Sequence, residues 1–197
     1  MKDNNEAKRK RVESFLKENY KGKFIISGTL NEEGKYGVSS NGFVKMISES
    51  KSLATEDFVF TEVQNFDCSR NEMLLSLKGA PQKVKEFNCI GCRSLQTLEG
   101  APKEVKEFYS NDCNSLQSLK GAPENVEVFE CNSCSSLQSL EGAPEKANIF
   151  DCSYCQSLKF LKGAPKKVVI FDCRCCESLY SFEGAPEEMG RFYYGFN

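Results

Sequence analysis

Apolar positions return along this chain every 21 residues. The tripeptide Gly-Ala-Pro marks the period at Gly79, Gly100, Gly121, Gly142, Gly163 and Gly184. Reading outward, one unit is V-x-x-F-x-C-x-x-C-x-S-L-x-S-L-x-G-A-P-x-x, best seen in VEVFECNSCSSLQSLEGAPEK at 126–146. A valine column starts at Val63, and an aromatic column runs from Phe66 through Phe87, Phe108, Phe129, Phe150 and Phe171 to Phe192. Two leucine columns follow, one from Leu74 to Leu179, the other from Leu77 to Leu161 and closing on Phe182. A single unit cannot bury its own apolar face, whereas a stack buries a continuous one, so a fixed period of this length predicts a solenoid. In extended backbone Phe and the residue two later share a face. V-x-x-F-x-C is therefore expected to be the strand, one per coil, and consecutive strands run parallel because each coil returns to its start. Gly permits a tight bend and Pro fixes φ and removes a donor, so Gly-Ala-Pro is the corner. The remaining segment is too short for a full helix and is expected to be extended or 3₁₀, with gentle curvature.

The fold class expected is mainly β: a parallel β-solenoid over 63–197, preceded at 1–62 by a helix and a degenerate N-terminal β cap. Residues 6–20 read as a short amphipathic helix, with Val12, Phe15, Leu16 and Tyr20 near helical spacing, covering the first coil. KFIISGTL and GFVKMI read as strands around the turn NEEGKYG. At the other end Met189-Gly-Arg-Phe192-Tyr-Tyr194 repeats the strand pattern, no capping helix follows before Asn197, and no charged residue guards the edge. An open strand edge is a pairing liability. Either Phe192, Tyr193, Tyr194 and Phe196 fold over the end, or two molecules pair there as a homodimer.

Composition narrows the chemistry. Net charge is -2, which argues against a general nucleic-acid binder, since such a protein needs a cationic surplus to displace counterions. No apolar run has the length of a membrane span. The charged N-terminus MKDNNEAKRKRV has no apolar segment of a secretory signal, so the expected location is the cytoplasm. The chain has no histidine, which excludes Ser-His-Asp and Cys-His catalysis and His-containing zinc sites. Carboxylate or lysine chemistry remains open on composition alone, but no phosphate-binding glycine loop or catalytic motif stands out from the repeat. The expectation is a protein that is not an enzyme and needs no cofactor. Lys8-Arg9-Lys10-Arg11 is a candidate nuclear-import or phosphate-contacting run, or simply a solvated helix face, the reading preferred here.

Two pairs, Cys131-x-x-Cys134 and Cys152-x-x-Cys155, have the spacing of a four-thiolate zinc site. The repeat offers another explanation. Cys68, Cys89, Cys131, Cys152 and Cys173 share the strand position, with Ser110 in the remaining unit. Cys92, Cys113, Cys134, Cys155 and Cys176 share the next turn position, with Asn71 in the first unit. Cysteine is small and readily buried, so the pairing reads as two inward columns. Asn71 and Ser110 would leave metal sites incomplete, and no metal is expected. A thiolate metal or redox module is the alternative. Cys175, the eleventh, falls at an outward position.

The spacing V-x-x-F-x-C-x-x-C-x-x-L resembles the leucine-rich-repeat pattern over 63–197, and the short unit with its Pro corner is similar to repeat proteins of tailed phages and bacteria. The resemblance implies a leucine-rich-repeat-like solenoid that binds other proteins. It also implies that the turn position, held by Cys or Asn, points inward and bonds backbone where the chain bends. If the phage likeness holds, a natural role is an inhibitor that occludes a bacterial host or defence protein in the host cytoplasm.

Outward strand positions make columns of their own. One runs Asn65, Glu86, Glu107, Val128, Ile149, Ile170, Arg191; the next runs Asp67, Asn88, Tyr109, Glu130, Asp151, Asp172, Tyr193. Val128, Ile149 and Ile170 thus form an apolar stripe beside an acidic one, with Tyr154 nearby. β-branched residues favour strands for their own reasons, yet three stacked on a polar face suggest a contact site. Stacked carboxylates repel one another. The expected partner is therefore a protein with a basic or apolar surface, contacted by Val128, Ile149, Ile170, Tyr109, Glu130, Asp151, Asp172 and Tyr154. Calcium is a weaker reading, since no calcium-loop motif is present. The residue before each Gly alternates in sign from Lys78 to Glu183, which predicts a charge ladder along one edge that fixes register. Self-assembly through the C-terminal edge is a third functional reading.

Overall fold

The computed structural model describes residues 2–47 and 50–195. Helix α1 spans Lys2–Asn19, followed by β1 (Tyr20–Lys21), β2 (Ile25–Leu30), β3 (Tyr36–Met46) and β4 (Phe58–Asp67). The repeat supplies β5 (Lys83–Asn88), β6 (Glu104–Tyr109), β7 (Val128–Glu130), β8 (Lys146–Asp151), β9 (Lys167–Asp172) and β10 (Glu188–Tyr193). From β3 to β10 each strand pairs in parallel with the next, while β1 and β2 pair antiparallel with β3. This is a parallel β-solenoid of about seven turns with a single N-terminal helix.

Each strand contains a bend that its sequence requires. Val84 and Phe87 are both buried although three positions apart, and regular pleating would send them to opposite faces. The ladder accommodates them: pairing runs Val84↔Val105, then Glu86↔Glu107, with Lys85 skipped. Two repeats later the N–H groups of Asn148 and Ile149 both donate to Glu127 O at 3.0 Å. Strands β5, β6, β8 and β9 begin one residue before the valine position and end one before the cysteine position, whereas β7 is shortened to Val128–Glu130. The cysteine still extends the ladder, since Cys89 N–H donates to Tyr109 O at 2.9 Å.

The phenylalanine column becomes a ring ladder. Centroids from Phe66 to Phe171 lie 5.3–5.6 Å apart with interplanar angles of 3–14°. The leucine columns fill the opposite side of the same core, and Leu77, Leu98, Leu119, Leu140 and Leu161 are fully enclosed. The segment expected to be extended or 3₁₀ consists of two turns joined by backbone outside any helix or ladder. Leu95 N–H donates to Cys92 O at 3.0 Å, and at the corner Ala80 N–H donates to Leu77 O at 2.9 Å. The corner glycine is the third residue of that second turn, with φ of 83–93° in all six units. Positive φ there belongs to a type II turn and favours glycine.

A second left-handed column was not legible in advance. Arg70, Asp112, Ser133, Tyr154 and Cys175 hold φ of 56–59°, with Gly91 at 71° in the remaining unit. Their N–H groups turn toward the next coil: Ser133 donates to Ser153 O at 2.9 Å and Tyr154 to Arg174 O at 2.8 Å. No residue preference marks this column, because its reward is a backbone hydrogen bond between coils.

The helix is longer than expected, starting at Lys2, and stops at Asn19, whose side chain donates to Phe15 O at 2.8 Å. Tyr20 belongs to β1 instead, paired with Met46, and its hydroxyl donates to Leu53 O at 2.6 Å. Phe15 packs on Phe58 at 5.7 Å and Tyr20 on Phe60 and Phe66 at 5.5 and 5.7 Å, so the helix and β1 seal the first end of the ladder. The hairpin is as expected in outline, with Gly34 at φ 72° in its turn, but β3 begins at Tyr36 and joins the parallel stack, Val44 lying opposite Phe66. No helix among the described residues is long and apolar enough to cross a membrane.

Candidate protein-interaction face

Strand register brings the predicted stripe together: Val128 pairs with Ile149 and Ile149 with Ile170, all half-buried on the outward face. Val169, which the sequence reading did not single out, stands beside them at 56% exposure, because the bend turns two successive residues outward in β9. Tyr109, Glu130, Asp151 and Asp172 fall in the adjacent column as predicted. Tyr154 does not join the sheet. It lies on the bend after β8, exposed, beside Cys175.

The acidic column has a local role that spacing alone did not reveal. Asp67, Asp151 and Asp172 each accept the N–H two residues on, from Ser69 at 2.8 Å, Ser153 at 2.8 Å and Arg174 at 3.0 Å, and Asn88 does the same for Ile90 at 3.0 Å. These are Asx-type turns that close the bend after β4, β5, β8 and β9. The signal was an Asp or Asn at a fixed place ahead of the left-handed residue. Repulsion along the column is answered within the chain at both ends. Lys45 pairs with Asp67 at 3.3 Å, and Arg174 clamps the buried Asp172 at 2.6 Å.

Between those ends the carboxylates differ, both Glu130 and Asp151 of this column and Glu86 and Glu107 of the column that continues into Val128. Glu86 accepts from the Asn65 amide, Glu107 from the Tyr109 hydroxyl at 3.0 Å, Glu130 from Asn111 at 2.9 Å, and Asp151 from Asn132 at 3.2 Å. All these donors are neutral. Among the described residues none of the four carboxylates makes an ion pair. Burial, the hydrogen bond to Glu107 and the surrounding carboxylates hold the Tyr109 phenol well above its usual pKa. The centre of the face is thus a negative band against an aliphatic stripe.

The CxxC pairs are two inward columns. Each turn cysteine points its Sγ at the carbonyl of the strand position one coil back: Cys92 to Cys68 O, Cys113 to Cys89 O, Cys134 to Ser110 O, Cys155 to Cys131 O and Cys176 to Cys152 O, all at 3.2 Å. Strand cysteines point the other way, Cys89 to Tyr109 O at 3.3 Å, and Ser110 does the same through its hydroxyl at 3.1 Å. Asn71 fills the first turn slot and donates to Ser50 O at 2.8 Å. All eleven thiols are free, ten are buried, and Cys175 is half-exposed. No group of three or more Cys, Asp or Glu among the described residues could hold a metal ion. Burial raises the pKa of eight of these thiols, to about 12 at Cys173 and about 11 at Cys176, from an ordinary value of 9.0, whereas the hydrogen bond with Cys68 lowers that of Cys92. A pKa raised on folding stabilises the fold below the unfolded value and loses that contribution as pH climbs through the folded one. Denaturation midpoints should therefore hold steady up to about pH 8.5 and fall steadily above it. A midpoint unchanged well into alkaline solution would mean that the thiols are not enclosed.

The basic run of α1 is largely occupied. Arg11 meets Asp57 with two nitrogens at 2.8 and 3.2 Å, Lys8 donates to Gly34 O at 2.7 Å, Arg9 to Ser27 O at 2.9 Å, and Lys10 pairs with Glu6 at 3.1 Å. The alternating edge forms in part: Lys120 reaches Glu99, and Lys162 reaches Glu141, both at 3.7 Å. At the far end Tyr194 packs on Phe182 and Phe192 at 5.1 and 5.0 Å, and Arg174 lies over the Tyr193 ring at 5.2 Å. Phe196 lies outside the described residues.

The fold and this face define a solenoid with an amphipathic outer sheet. Comparison of the chain with family models, with curated proteins and with solved structures gave no match.

Proposed function

We propose that this protein is a non-enzymatic binding module whose strand face covers an apolar patch bordered by basic groups on a partner protein. The observation that carries the reading is a set of four carboxylates bonded only to neutral donors around the aliphatic stripe: Glu86 and Glu107 lead up to Val128 in its own column, and Glu130 and Asp151 flank Val128 and Ile149 in the next. An uncompensated negative potential favours a cationic surface and speeds its encounter, and the aliphatic stripe supplies area to desolvate. Asp172 and Tyr154 contribute less, the first being clamped by Arg174 and the second lying off the sheet. Leucine-rich-repeat-like spacing supports the same class of function, and its phage likeness makes occlusion of a host or defence protein the natural form.

The test compares capture by the wild-type chain with capture by an Ile149→Arg, Glu130→Arg double variant that keeps its fold. A protein held by the first and released by the second, with affinity falling as salt rises, supports the face. Equal retention by both removes it.

A further inference from the structure

We propose that the chain binds a second copy of itself end to end, through β10 and the aromatic side chains around it. Every interior coil is covered on both sides by its neighbours, and the first end is sealed by α1 and β1. At the other end the pattern changes. The column that holds fully enclosed leucines ends in Phe182 at 46% exposure, with Tyr194 at 58% packed against it. Phe192 leaves the stacked geometry, tilting 61° from Phe171 to meet Phe182 at 5.2 Å. These rings form an aromatic layer with nothing over it among the described residues.

The backbone makes the same demand. Tyr193 O and Gly195 O accept hydrogen bonds from Cys173 and Cys175, so both carbonyls face back into the stack. Successive residues of a strand address opposite edges, which leaves the N–H and C=O of Phe192 on the far side. Among the described residues no strand pairs with that side of β10. Such an edge is a template for another strand.

A second copy satisfies both demands at once. A two-fold axis beside Phe192 sets two β10 strands antiparallel, and the N–H and C=O of each Phe192 bond the other. That register brings Arg191 opposite Tyr193 of the second copy and Gly190 opposite Tyr194 of the second copy. No like charges face each other, and Arg191 gains the cation–aromatic contact that Arg174 already makes with Tyr193 inside the chain. The interface is self-complementary and closes at two copies.

Light scattering of the full chain over a rising concentration series tests this. The mass should move from 22.1 kDa to twice that value and no further. A Tyr194→Asp variant should remain at the lower mass, and an Ile149→Asp variant should still dimerise. Hydrogen exchange guards against local unfolding of the variant. In the wild type the Phe192 amide should be protected at high concentration and exchange on dilution, while the Phe150 amide stays protected in both. A constant 22.1 kDa with a freely exchanging Phe192 amide overturns the proposal. So does growth into longer assemblies, or a dimer that Ile149→Asp breaks and the tyrosine variant keeps.

Discussion

Gly142→Ala should unfold the solenoid or destabilise it by about 3 kcal/mol or more, from a change of one methyl group. Two penalties combine. The residue holds φ at 87°, where an L side chain is strained. A Cβ there would also lie 2.6 Å from both the Cα and the N of Lys120 in the preceding coil. Those atoms are backbone, fixed by a stack in which Leu119 N–H bonds Glu141 O at 3.1 Å, so they cannot withdraw as a side-chain tip could. The corner glycine therefore serves two purposes: it makes the type II turn and lets one coil sit directly on the last. Gly28→Ala supplies the control. Gly28 has ordinary φ and nothing within 4 Å of the added atom, and its replacement should shift stability by no more than about 0.5 kcal/mol. Urea denaturation of the two variants measures the contrast. Equal stability would show that the coils are not in contact at their corners.

The repeat was legible because each column repeats one residue type for one physical reason. Phe recurs where rings stack, Leu where the opposite wall fills, Gly where φ must be positive and the next coil presses close. What the sequence concealed lies where the backbone carries the requirement. Arg70, Asp112, Ser133, Tyr154 and Cys175 share a left-handed conformation with no common side-chain chemistry, so composition gives no sign of it. β3 joins the stack without a Phe in the ring column or a Gly-Ala-Pro to announce it, because Val44 fills the ring position beside Phe66, Phe43 faces outward, and α1 covers the coil from outside. The outward face was half legible. Counting columns placed Val128, Ile149 and Ile170 together. The division of the carboxylates, Asp67 and Asp172 against cations and the other four against amides and hydroxyls, depends partly on Arg174, two residues from Asp172, and mainly on Lys45, Asn111 and Asn132, which only the folded register brings near.

Phe129→Ala should cost about 3–5 kcal/mol, the usual range for emptying a large buried ring site. Phe129 has no exposure and stacks at 5.3 Å on Phe108 and on Phe150, so its loss opens a void with ring faces on both sides. Neither neighbour can move in, because each is held by its own coil and the coil spacing is set by the backbone ladder. Stability in a stacked repeat is approximately a sum of unit and nearest-neighbour terms. Breaking the ladder at its centre removes two such contacts and weakens the coupling between β4–β6 and β8–β10. Unfolding of Phe129→Ala should then lose cooperativity as well as midpoint, seen as a lower denaturant slope. Phe192→Ala, at the half-exposed end of the column, should cost about 1 kcal/mol and leave the slope unchanged. A double variant at Phe129 and Phe150 should cost less than the two single changes added together, by about 0.5–1.5 kcal/mol, since the stacking between these rings is lost only once. Strict additivity would mean that the rings fill space independently and that the ladder, for all its regularity, adds no stacking energy beyond burial.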